Sequence, residues 1–222
     1  TNAHMSTADT ANAGIRYAVS GGNLTVESGM ELHVLAGKSF TPGGTVTTTS
    51  TATTAGVAGD VHIGSGATLD MGFSNLFVGG DYSNEGTFSN PGTTTFTATG
   101  SGFSIEDGTS NFAAIAFDGV GGSWAFSSDI DLTPNFASIT ITNGTLVTSN
   151  NNITTNGIIV NDTLSGSGSG TILITQFNPL GGSGTVNLTG GTVEQTRTVG
   201  CNSGNWGPSG SNNWTFNNLT FS

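Results

Sequence analysis

Short segments that alternate apolar and polar residues fill this chain, and several of them recur. The segment FAAIAFD at 112–118 returns as FASITIT at 136–142 and as FNNLTFS at 216–222. Side chains two positions apart on a strand share a face, so the Ile or Leu of each copy points the same way as the second residue after it. The Phe three positions earlier reaches the same core only if the strand bends. A bend at the same place in each copy predicts the corner of a coil.

Other segments recur in the same direction. The pattern at 24–34 returns at 61–71, and the pattern at 139–146 returns at 186–193. Each is an apolar-x-apolar strand, a corner built on Gly or Asn, and a second strand, and these two residues tolerate the positive φ that corners require. No stretch within 15–222 has helical periodicity. The chain is therefore predicted to be all-β.

Two all-β architectures fit such strands. Asn-Gly between alternating runs is a hairpin signal and favours an antiparallel β-sandwich, which is the alternative. Hairpins predict mirrored neighbours, however, whereas these copies are translated, as expected for a parallel β-solenoid whose coils stack on one another. If 112 to 136 is one coil, the chain holds about nine coils. We predict a single β-solenoid domain at 15–222, preceded by an N-terminal arm or cap at 1–14.

Composition excludes several partners. Only 8% of the residues are charged, against about 25% in typical domains. Lys and Arg number 3 against 14 Asp and Glu, too few to neutralise nucleic-acid phosphates or to bind an anionic membrane. No apolar run approaches the roughly 20 residues of a membrane-spanning helix. The single cysteine, Cys201, cannot form a disulfide within the chain, and a link between chains stays open.

The Phe-x-x-Ile/Leu units, together with the strands GTL at 144–146 and NLTV at 23–26, resemble the β-strand-repeat surface proteins of bacteria. That group includes autotransporter-like and haemagglutinin-like proteins. The resemblance spans most of 15–222 and implies a right-handed parallel β-helix. It also implies a secreted or cell-surface location and a role as a stalk or adhesin.

The two ends of the chain match each other. The segment at 124–132, which follows the first Phe unit, aligns with 17–26 near the N-terminus, so the last unit finds its usual continuation at the start of the chain. An open solenoid end exposes core and unpaired backbone. We therefore expect Phe216, Leu219 and Phe221 to stack on Tyr17 and Val19 of a second copy, building a filament head to tail. Continuation of the solenoid in a longer repeat protein is the other explanation.

Candidate chemistry is sparse. Exposed aromatic side chains commonly bind sugars, and Trp206 in a loop-like stretch and Tyr82 after a Gly-Gly corner are the candidates for contact with cell-surface glycans. The acidic pairs at 106–107 and 129–131 could serve polysaccharide cleavage or calcium binding, but solvated strand faces and corners explain them equally. The histidines have no metal-ligand spacing, and His33 and His62 are expected to face solvent. We predict no catalytic residue, metal or cofactor.

These observations predict a structural protein rather than an enzyme. We expect a building block of an extracellular fibre, stalk or surface layer, held together by packing and backbone pairing. The alternative is an adhesin or glycan-binding surface module, and a polysaccharide-cleaving β-helix enzyme is the least favoured possibility.

Overall fold

The computed structural model describes residues 23–26, 30–49, 59–135, 137–175, 180–196 and 206–222. These residues form strands of 2 to 16 residues and one 3-10 helix at Thr133–Asn135. In chain order the strands are β1 Leu24–Val26, β2 Leu32–Val34, β3 Ser39–Phe40, β4 Val46–Thr48, β5 Val61–Ile63, β6 Thr68–Asp70, β7 Leu76–Val78, β8 Tyr82–Asn84, β9 Thr87–Phe96, β10 Phe103–Glu106, β11 Asn111–Phe126, β12 Ile130–Asp131, β13 Ile139–Thr148, β14 Ile153–Thr155, β15 Ile158–Val160, β16 Thr163–Gly166, β17 Thr171–Ile174, β18 Leu180–Gly182, β19 Thr185–Leu188, β20 Thr192–Gln195, β21 Gly207–Pro208 and β22 Leu219–Phe221.

The strands wind into a parallel β-solenoid of about eight turns, close to the nine coils that the sequence predicts. Every strand pairing in the described part of the chain is parallel, which excludes the antiparallel sandwich there. Successive strands return to one of three columns. The first column contains β1, β4, β7, the end of β9, the start of β11 and of β13, then β15, β18 and β21.

The second and third columns follow in the same way along each turn. The second column runs from β2 through β5, β8 and β10 to the later parts of β11 and β13, then to β16 and β19. The third column begins with β3, β6 and the start of β9. It then continues as a separate sheet of five strands, β12, β14, β17, β20 and β22.

Alternation along each strand directs every second side chain into the solenoid. From β4 to β18, the inward side chains that lie opposite one another in the first column are all buried: Val46, Leu76, Thr94, Ile115, Ile139, Ile158 and Leu180. Large aromatic side chains fill the middle turns, and the Phe117 ring lies 5.4 Å from that of Phe96 and 5.2 Å from that of Trp124. The core is thus one continuous stack of side chains inside the solenoid.

The structure confirms the direction of the repeats but only part of their predicted alignment. Ile115 pairs with Ile139, so the units at 112–118 and 136–142 occupy successive turns. Phe112 is buried and a register shift follows it, as the predicted bend requires. The third copy differs, because Leu219 pairs with Val193 in the third column rather than following Ile139 in the first. Phe136 lies outside the described residues.

The other two alignments are wrong. Val61 pairs with Leu32 and not with Leu24, whose partner is Val46. Val186 pairs with Leu164, and its strand therefore belongs to the second column, whereas Ile139 belongs to the first. Residues 1–14 lie outside the described part of the chain, as does the start of the predicted domain at 15.

Candidate functional site

The last turn of the solenoid ends in a group of aromatic side chains, which we call the end cluster: Trp206, Trp214, Phe216 and Phe221. The Trp206 ring lies 6.3 Å from Trp214, 5.9 Å from Phe216 and 5.2 Å from Phe221 between centroids. Because Gly207 pairs with Gly181 in the first column, Trp206 follows Leu180 in register. The cluster therefore continues the inner column of the solenoid to its end.

Exposed apolar side chains and an unpaired strand edge lie together at this end. Phe221 is 62% exposed, and Trp214, Phe216 and Leu219 are partly buried where they pack against the core. The strand β22 pairs with β20 along one edge, and no described strand pairs with its other edge. An unpaired strand edge beside exposed aromatic rings is a template for a further strand.

The sequence predicted three residues of this end, Phe216, Leu219 and Phe221, as a stacking surface. Trp214 was missed, although its aromatic side chain repeats the inward position of Val186 one turn earlier. The indole Nε1 of Trp214 donates a hydrogen bond to the Gly184 carbonyl at 3.0 Å. The proposed counterparts Tyr17 and Val19 lie outside the described residues, so their docking stays a prediction.

The structure does not place Tyr82 and Trp206, the two glycan contacts that the sequence suggested, on an open surface. Tyr82 is fully buried, and its hydroxyl lies 2.8 Å from Ser110 Oγ. It occupies an inward position of β8, opposite Val61 and Ile105, so no sugar can stack on it in this structure. This corrects the expectation for Tyr82. Trp206 packs inside the end cluster, and its contact with a glycan stays a prediction.

A polar network surrounds Tyr82 at the corner after β10. The side-chain amide of Asn84 donates to Ser110 Oγ at 2.8 Å and to the Asp107 carbonyl at 3.3 Å. Asp107 is buried, and its Oδ1 has no hydrogen-bond partner. Burial raises the pKa of Asp107 to about 7, Ser110 lowers it through a hydrogen bond, and the Asp131 charge raises it further. The carboxyl is thus held in a site that favours its neutral form.

This burial gives a pH-dependent stability. The unfolded pKa of Asp107 is 3.8 and the folded pKa is about 7, so the folded state binds the proton more tightly. The contribution to stability is complete below about pH 4 and is lost as the pH rises to about 7, by roughly a few kcal/mol. The variant Asp107→Asn mimics the neutral carboxyl and should be more stable than the parent at pH 8 and equal at pH 4. Urea unfolding across this range measures the difference, and an Asn variant that is less stable at pH 8 would contradict it.

The acidic pairs form no catalytic arrangement in the described residues. Asp129 Oδ1 accepts a hydrogen bond from the Asn152 amide at 2.7 Å, and Asp131 Oδ1 accepts one from the Thr133 amide at 2.9 Å. Both carboxylates therefore cap the backbone at corners. Glu106 is exposed, whereas its neighbour Asp107 is buried, so the two point to different environments.

Sequence reasoning also missed a pair of histidines. His33 and His62 are directly opposed on β2 and β5, and their ring centroids are 4.4 Å apart at an angle of 82°. The 24–34 to 61–71 alignment had placed His62 beside Thr25 instead. A register fixed by Leu32 and Val61 would have found the pair.

These features define the chain as a parallel β-solenoid with an aromatic end. No family model, curated protein or solved structure matches it. Among the described residues, no helix is long and apolar enough to span a membrane.

Proposed function

We propose that this chain is a structural building block of an extracellular fibre, stalk or surface layer, in which another solenoid turn covers the C-terminal end. The end cluster carries this proposal. An inner column of buried side chains runs through the turns and ends in Phe221, which is 62% exposed, beside the free edge of β22. A further turn would bury those rings and pair that edge.

The bonding within the solenoid suits a load-bearing role. Parallel backbone pairing and apolar packing join each turn to the next, and both depend little on salt. Within the described ranges, the one contact between a basic and an acidic side chain at ion-pair distance is that of His33 Nδ1 with Glu31 Oε1 at 3.5 Å, and it is an ion pair only when His33 is protonated. The resemblance to bacterial surface proteins supports a secreted or surface location.

The covering turn would come from one of two sources. A second copy of this chain would give a filament that grows head to tail, since the two contacting surfaces differ and the contact does not close on itself. A continuation of the same solenoid in a longer protein would give a stalk. Both place a parallel strand on the free edge of β22.

The adhesin alternative has less support. Its two aromatic contacts were Tyr82, which is buried, and Trp206, which packs against other rings of the end cluster. Acidic side chains that cap corners likewise give little support to a polysaccharide-cleaving enzyme.

Self-association of the purified chain tests the filament. We expect sedimentation and electron microscopy at several concentrations to show rods that lengthen end to end. Phe221→Glu places a charge in the contact and should raise the concentration needed for assembly at least tenfold, about 1.4 kcal/mol. The matched control is Phe73→Glu, because Phe73 is 96% exposed on a corner between β6 and β7.

The control distinguishes end-to-end stacking from non-specific hydrophobic association. If exposed phenylalanine alone drives association, the two variants weaken it equally, and the stacking proposal fails. A monomer over the whole concentration range, or rods that join side by side, would also contradict head-to-tail assembly.

A further inference from the structure

The histidines of β2 and β5 form a paired site on the outside of the solenoid. His33 and His62 face outward from successive turns, and their rings lie 4.4 Å apart between centroids. Two imidazoles that bind one zinc ion through Nε2, at about 2 Å each, bring their centroids to about 5 Å. The observed separation of the two rings is close to that spacing.

The Nδ1 nitrogen of each ring lies near a polar side chain. His33 Nδ1 faces Glu31 Oε1 at 3.5 Å, and His62 Nδ1 lies 2.5 Å from Ser83 Oγ. When a histidine donates its Nδ1 proton to such a group, its Nε2 is left as the unprotonated ligand nitrogen. In that tautomer of both rings, Nε2 is the nitrogen that can bind a cation.

Acidic residues lie beside the pair. Glu31, Asp60 and Asp81 occupy the same position on successive turns, one residue before β2, β5 and β8. The carboxylate of Asp60 accepts a hydrogen bond from the Asp81 amide at 2.8 Å, so these acids lie close together along the face. A column of carboxylates beside two imidazoles attracts a divalent cation.

We propose that His33 and His62 together bind one divalent transition-metal ion, such as Zn²⁺ or Ni²⁺, across two successive turns. Imidazole favours these ions over Mg²⁺ and Ca²⁺, which prefer oxygen ligands. No three His, Cys, Asp or Glu side chains converge on one point within the described ranges. The protein therefore supplies two ligands, and water completes the coordination. The ion would add a link between the two turns to the backbone pairing and the ring contact.

Calorimetric titration of the whole chain at pH 7.5 with ZnCl₂ and NiCl₂ tests this site. We expect one ion per chain, no binding of Mg²⁺ or Ca²⁺ at the same concentrations, and at least tenfold weaker binding in His33→Asn and in His62→Asn. Both side chains face outward, so the variants should keep the circular dichroism spectrum of the parent. Titration with Cu²⁺ should give an electron paramagnetic resonance spectrum with two coordinated imidazole nitrogens.

The remaining histidine and the single cysteine of the chain serve as controls. His4→Asn and Cys201→Ser change residues outside the described part and should leave the stoichiometry and affinity unchanged. Glu31 is a positioning residue, and Glu31→Gln should weaken binding by about tenfold while one ion per chain is retained. The proposal is overturned if no ion binds at millimolar concentration, if His62→Asn binds like the parent, or if His4→Asn or Cys201→Ser removes the site.

Discussion

Replacing Phe117 by alanine is expected to lower the free energy of unfolding by about 3–5 kcal/mol, the range for truncating a buried aromatic side chain. Phe117 is fully buried in the middle of the solenoid, where it pairs with Phe96 on the preceding turn and with Ile141 on the next, and it also contacts rings of its own strand. Its centroid lies within 6.4 Å of Phe126 as well as close to Phe96 and Trp124. The cavity would therefore interrupt a column that several turns share.

The same substitution at Phe73 is the matched control. Phe73 is 96% exposed at a corner, so Phe73→Ala should change the free energy of unfolding by less than about 0.5 kcal/mol. Urea unfolding followed by circular dichroism measures both variants. Equal effects at the two positions would contradict the placement of Phe117 in the core.

The fold class could be predicted because translation along the chain is a property of the pattern itself. Inward pairs such as Ile115 with Phe117 and Ile139 with Ile141 follow the strand period of two, and their repetition in one direction excludes mirrored hairpins. That apolar side chains lie at this end of the solenoid could also be predicted, whereas their stacking on a second copy stays a prediction. Phe216, Leu219 and Phe221 repeat a unit that elsewhere is followed by another strand.

The alignment between turns could not be predicted, because the corners differ in length. The pairing of β11 with β13 shifts on both sides of Asp118, so that Ser123 pairs with Thr145 although Asp118 pairs with Asn143. Four residues on one turn lie opposite a single Gly144 on the next. Since the inward-facing side chains of all three columns are chemically alike, the sequence does not indicate the column to which a strand belongs.

That ambiguity concealed the candidate sites. His33 and His62 meet only when β2 is aligned with β5, and an alignment that begins at Leu24 separates them. Tyr82 was assigned to the wrong face of its strand. It follows a Gly-Gly corner and Asp81, and a shift of one position decides whether its ring points outward or into the core. Local composition at such a corner is the same in either case.

Close approach between turns gives the second large effect, at Gly108. Gly108 has φ of +58°, and a Cβ atom there would lie 1.8 Å from the Asn84 carbonyl oxygen on the preceding turn. Gly72 has a similar φ of +55° but no atom within 4 Å of its Cβ position. Both residues therefore have a left-handed backbone, and they differ only in the room available for a Cβ atom.

Gly72→Ala should cost about 1–2 kcal/mol, the penalty for an L-residue in the left-handed region. Gly108→Ala adds a collision with backbone that can move only if the two turns separate, and the total should exceed about 4 kcal/mol. The separation would also disturb the hydrogen bonds that Asn84 makes to Ser110 and Asp107. Urea unfolding measures the difference between the two variants. Losses of equal size would mean that φ alone requires glycine at this corner and that the turns are not held together as closely as the structure places them.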